Sequence, residues 1–231
     1  MSAQEEPDPG VAGGSAGREA ERRRQRRLQN APHKWSLRWL IVTLFGPSAK
    51  EKRQMADEKN WAIGAQGERL LAAALARRCP GVLMLHDRRM PNSRANIDHI
   101  AVAATGVYVI DAKRYRGAIR VVTPLFGASK LKIAGRDQTK LVDGLVKQIA
   151  VVQDALAHVA PKVPVCGCLC FLAPEGFMAD SGLPVLRTLK INGFPLYYPR
   201  RLAKRLNRAG SLTAEHARVI HTELASRLPA A

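Results

Sequence analysis

The stretch "NIDHIAVAATGVYVIDAKRYRG", Asn96–Gly117, reads as two apolar strands joined by a tight turn. Both runs are rich in Ile and Val, and Thr105-Gly106 supplies the turn chemistry. Three residues break the pattern: Asp98, Asp111 and Lys113 stand where a stable hairpin would carry Val or Ile. With Thr105 and Gly106 as the two loop residues, Asp98 falls opposite Lys113 and Ile100 opposite Asp111. Alternation puts Asp111 and Lys113 on one face, with Asp98 across from them on that same face. Diagonal Cβ atoms lie within roughly 7–8 Å, so the two carboxylates can share one divalent cation. Two acids on one face repel, and burying them unpaired is costly. A hard cation such as Mg2+ or Mn2+ neutralises them, because it takes oxygen ligands and keeps several waters. Such an ion acidifies water and offsets charge on a phosphate. A solvated strand face with an Asp98–Lys113 ion pair accounts for the same spacing.

Outward from the hairpin, the periodicity predicts a mixed β-sheet flanked by helices, an α/β fold. "GAQGERLLAAALARRCPG" is a helix with Leu70, Leu71, Ala74 and Leu75 as its apolar stripe, stopped by Pro80-Gly81. "VLMLHDRR" is a strand, and "AIRVV" and "KLKIAG" are shorter ones. "TKLVDGLVKQIAVVQDALAHVA" is a long amphipathic helix, and "VPVCGCLCFL" is a buried strand by its near-continuous apolar run. "PLYYP" is a further strand candidate. Two helices close the chain, the second capped by Thr213. Four segments follow. Residues 1–30, rich in Gly, Ala, Glu and Arg, read as a disordered tail. Residues 31–60 hold a short apolar segment and a polar linker. Residues 61–175 form the main domain, and 176–231 a C-terminal extension.

The charge is +18 over 231 residues, and it is not confined to a tail: residues 61–231 hold 25 Lys+Arg against 11 Asp+Glu. A basic body suits a polyanion, either nucleic acid or an anionic membrane surface. "WSLRWLIVTLF" is too short to span a bilayer and is read as docking on the core, with interfacial membrane contact through residues 35–46 as the lesser reading. No secretory signal precedes the four cysteines, so a reducing cytoplasm is expected. Cys166, Cys168 and Cys170 share one strand face, poor geometry for tetrahedral zinc, and read as small buried hydrophobes. Gly64 and Gly67 lack a phosphate loop's lysine and preceding strand, and read as allowing the helix start to approach the sheet closely. His99 points away from Asp98 by alternation, and His86 and Asp87 are weaker candidates still.

"GAQGE", "NIDHIAV", "GVYVIDAKRYRG" and a downstream helical Gln, in this order, resemble the nuclease-related domain (NERD) family, over roughly residues 60 to 175. That family is placed among the PD-(D/E)xK nucleases, so the resemblance implies a restriction-endonuclease-like fold. It further implies metal-dependent hydrolysis of phosphodiester bonds, with DNA as the expected substrate. Carried over, Glu68 is the helical acid that supports the metal, Asp98 and Asp111 are metal ligands, and Lys113 stabilises the attacking hydroxide or the transition state. Gln148 orients Lys113 or a phosphate. Arg114, Tyr115 and Arg116, just past the site, are candidate phosphate contacts. So are Arg201, Lys204, Arg205 and Arg208, which share one face at helical spacing, with an ordinary solvated helix as the commoner case. The alternative is a nucleic-acid-binding or signalling module that keeps the fold and cuts nothing.

Overall fold

The computed structural model describes residues 7–34, 36–115, 117–173, 183–184 and 187–231. Three helices open the chain: α1 (Gly14–Gln29), α2 (Leu37–Phe45) and α3 (Ala49–Arg78). The strands β1 (Leu83–Arg89), β2 (Asn96–Ala103) and β3 (Gly106–Lys113) follow as an antiparallel meander. A three-stranded sheet, β4 (Ile119–Val122), β5 (Lys130–Ile133) and β6 (Arg136–Asp137), leads into α4 (Lys140–Leu156). Then come β7 (Val165–Phe171), β8 (Lys190–Ile191), β9 (Phe194–Tyr197), α5 (Pro199–Leu206) and α6 (Ala214–Arg227). The large sheet has six strands in the order β1-β2-β3-β7-β9-β8, with β7 parallel to β3 and β9 parallel to β7. A parallel neighbour needs a long crossover, and β4–β6 with α4 supply it. The fold is thus the mixed α/β arrangement expected.

Side-chain alternation assigns the two layers. Ile100, Val102, Val107, Val109 and Leu169 pack with Val142, Leu145 and Val152 of α4 and with Ile220 and Leu224 of α6. Ala101, Ala103, Tyr108, Ile110, Cys168 and Cys170 pack on the other face with Leu71 and Leu75 of α3 and with Leu202 and Leu206 of α5. The cysteines are free, and Cys168 and Cys170 are buried as small hydrophobes. Arg88 has the largest fully buried side chain. Its guanidinium donates to the carbonyls of Ala225 and Leu228, which end α6, and to that of Asp8. Such late-helix carbonyls have no partner within their own helix.

Several expectations are corrected. Residues 14–29 of the expected disordered tail form α1, which buries Ala16 and Ala20. Arg, Ala, Glu and Gln are good helix formers, and the two alanines let α1 lie close to α3. The "linker" before Trp61 is the first half of α3, begun by a capping box between Ser48 and Glu51. Gly64 and Gly67 therefore sit mid-helix. A Cβ on Gly67 would meet Arg114 at 3.3 Å, whereas one on Gly64 would meet open space. Leu70, expected inside, is 43% exposed. In α2 the side chains of Leu37, Leu40 and Leu44 are exposed, while Trp35 and the side chains of Trp39, Ile41 and Phe45, on which the expected docking depends, lie outside the described residues. No helix among the described residues is long and apolar enough to cross a membrane.

Candidate active site

The hairpin register differs from the expected one. Ala103 pairs with Gly106 and His99 with Ile110, so Ala104 and Thr105 are the loop residues and Gly106, at φ 126°, opens β3. One step past His99–Ile110, Asp98 falls opposite Asp111 rather than Lys113. The slip is two residues, and only an odd slip moves side chains to the other face. Asp98, Asp111 and Lys113 therefore keep the shared face that was expected.

Asp98 sits at the start of β2 and Asp111 near the end of β3, at the same end of the sheet. One Asp98 oxygen accepts the backbone N–H of Ala112 at 2.8 Å. Its carboxyl faces that of Asp111 across the strand pair, and the Lys113 ammonium donates to Asp111 Oδ1. Burial, then the Asp111 charge, pushes Asp98 well above the usual carboxylate range. Burial opposes the Lys113 charge, but Asp111 and Asp98 outweigh it and hold the amine above its ordinary value. Lys113 is therefore a cation at neutral pH and an electrostatic group rather than a base.

Glu68 reaches the cluster from α3. It is 9% exposed, and Oε2 accepts the N–H of Gly13 at 3.0 Å. Burial raises its pKa to about 7, with the Asp87 charge adding to the rise; the Gly13 bond and Lys113 pull the other way. Asp87 is the acid that the sequence undervalued. It is 3% exposed in a left-handed conformation, φ 50°. It accepts from Ser15 N and Ser15 Oγ, both at 2.6 Å, and from Asn96 Nδ2 at 3.1 Å. The first residues of α1 thus close one side of the acid cluster. Nothing in the alternating strand pattern signals this, because the contact spans 72 residues.

Gln148, on α4, lies beside the start of β2. Its amide donates to the Asn96 carbonyl at 3.3 Å, and no hydrogen bond joins it to Lys113 among the described residues. Its buried Oε1 has no hydrogen-bond partner there. Arg114 donates to Gln66 Oε1 at 2.6 Å, tying the end of β3 to α3. Tyr115 packs against the core, and Arg116 lies outside the described residues. His99 is fully buried on the opposite face, where its Nδ1 meets His86 Nδ1 at 2.8 Å, and burial lowers its pKa to about 3. It stays neutral, as a core histidine. The four basic residues of the α5 region do not approach the acids; they line a separate cleft.

The donor set suits a hard cation. Asp98 and Asp111 offer carboxylate oxygens on neighbouring strands, and a cation between them would offset their mutual repulsion. Among the described residues, no three His, Cys, Asp or Glu side chains converge closely enough to hold an ion alone. Water and phosphate oxygens would have to complete the shell, as is usual for Mg2+.

The family-model comparison matches the nuclease-related domain over residues 63–172. No curated protein and no solved structure matches the chain. The match runs from the middle of α3 to the residue after β7 and contains Glu68, Asp98, Asp111, Lys113 and Gln148. Over residues 63–172 the chain carries a nuclease-related domain, of the general PD-(D/E)xK kind.

Proposed function

We propose that this domain is a metal-dependent nuclease that hydrolyses nucleic-acid phosphodiester bonds, with DNA as the substrate. The observation that carries this reading is the Asp98–Asp111 carboxyl pair with the Lys113 ammonium on Asp111. Asp98 and Asp111 would hold Mg2+ or Mn2+, and Glu68 would support the ion or a water from α3. The cation supplies a more acidic water and neutralises charge on the scissile phosphate. Lys113 places a fixed positive charge beside the position where phosphate charge develops, which is worth most in the transition state.

The test is cleavage of single- and double-stranded DNA with Mg2+ or Mn2+, using Asp98→Ala as control. Metal-dependent cleavage that this variant loses supports the reading. Wild-type protein that binds DNA but never cuts it, with either metal, sinks it. A second reading, a nucleic-acid-binding module that cuts nothing, is favoured by the missing third converging ligand among the described residues. It predicts no metal-dependent cleavage and equal DNA binding by wild type and Asp98→Ala.

A further inference from the structure

A second constellation lies on the other layer of the sheet. Tyr108 of β3 and Cys166, Gly167 and Cys168 of β7 floor a cavity of about 800 Å³ under α5. Tyr108 and Asp111 point to opposite faces of β3 by alternation, and they lie roughly 10 Å apart along the strand. The cleft is therefore distinct from the acid site. Five cations line it: Lys190, Arg201, Lys204, Arg205 and Arg208. None of its described lining residues is acidic.

The sequence builds this wall by helical spacing. Arg201, Lys204, Arg205 and Arg208 recur at three- and four-residue steps, while Leu202 and Leu206 bury the opposite stripe of α5. Two of the guanidinium groups are held in place. Arg205 lies 5.7 Å from the Tyr108 ring centroid, and Arg201 lies 5.7 Å from that of Tyr198. Arginines positioned over aromatic rings lose less freedom when they take a phosphate. Phe194 and Tyr197, from β9, add flat apolar surface to the same cavity. Phosphate-binding cations beside aromatic faces match a nucleotide, whose base stacks while its phosphate is neutralised. The volume admits a nucleotide or a local stretch of single strand, but not a duplex.

We propose that the cleft between α5 and β7–β9 is a nucleotide-phosphate site, filled by a single nucleic-acid strand or by a free nucleotide. The site does not depend on whether the acid cluster cuts DNA, because binding needs no metal.

The experiment measures binding by full-length protein in EDTA, so that no cleavage occurs. The probes are a fluorescent single-stranded deoxyoligonucleotide and ATP. Lys204 and Arg208 are exposed, so Lys204→Glu/Arg208→Glu is expected to fold normally, with circular dichroism as the check. Exposed Arg218 and Arg227 on α6 supply a charge-matched control, Arg218→Glu/Arg227→Glu. Binding of at least one probe should weaken tenfold or more in Lys204→Glu/Arg208→Glu and far less in the α6 control. Oligonucleotide binding that excess ATP does not displace assigns the site to a strand. ATP binding without oligonucleotide binding assigns it to a free nucleotide. Failure of wild type to bind either probe, or equal weakening by Lys204→Glu/Arg208→Glu and the α6 control, overturns the proposal. Cleavage is not read, so neither result bears on the acid site.

Discussion

Lys113 and Glu68 occupy the same cluster with opposite electrostatic outcomes. Lys113 is half-buried beside two acids and stays charged, whereas Glu68 is buried among acids and is driven toward neutrality. If Lys113 acts on the transition state, Lys113→Ala should lower cleavage by about 10²-fold or more while DNA affinity changes little. Paired single-turnover and equilibrium-binding measurements decide this; an equal loss in both makes Lys113 a substrate-binding group. Glu68 makes a stability prediction. Its folded pKa of about 7 lies above its ordinary 4.5, so the native state binds more protons between these values. The stability from this group is fully present below about pH 4.5 and is lost as pH rises through 7. Glu68→Gln should remove that slope, with the variant gaining on wild type by roughly 1–3 kcal/mol between pH 5 and 8. Urea midpoints in EDTA at the two pH values test it, and parallel wild-type and variant curves would refute it.

Among elements, the β2–β3 hairpin and α1 show where sequence reasoning holds and where it stops. The strands were legible because burial imposes a period of two. Their common face was legible too, and it survives an error in the turn because a two-residue slip preserves parity. The turn itself was misplaced: Thr-Gly looks like a loop pair, yet Gly106 already pairs with Ala103. The docking of α1 was invisible for a different reason. Its buried residues are small, Ala16 and Ala20, and in sequence they resemble a flexible tail. Gly13 is the point that cannot change. It holds φ 67°, and a Cβ there would lie 2.4 Å from the Ala65 carbonyl oxygen. Gly13→Ala should therefore loosen α1 from α3, at a cost of more than about 1 kcal/mol. Hydrogen exchange should show lost protection in residues 14–29, while β2 and β3 remain protected. Unchanged exchange in α1 would mean that the Gly13 contact does not hold it.

At the scale of the whole molecule, the +18 charge is unevenly usable. Residues 1–30 hold six arginines and five acids, a net of only +1. Much of that charge is spent locally: Arg22 and Arg23 pair with Glu19, Arg24 with Glu21, and Arg27 with Glu58. The α5 cleft presents its cations without an acid among its described lining. Nucleic-acid affinity falls with salt in proportion to the phosphates neutralised, so the salt slope reports which arginines act. Replacing Arg22, Arg23 and Arg24 by Gln should leave the slope of log K against log salt nearly unchanged, because a phosphate would have to displace a carboxylate already in place. Lys204→Glu/Arg208→Glu should flatten it by about 1–2 units, one lost phosphate contact per cation. The comparison needs only binding isotherms for single-stranded DNA at several salt concentrations. A slope that collapses in the α1 variant and stays intact in the α5 variant would move the main nucleic-acid contact to the groove between α1 and Arg89–Arg94, whose rim reaches Asn96 beside the acid cluster.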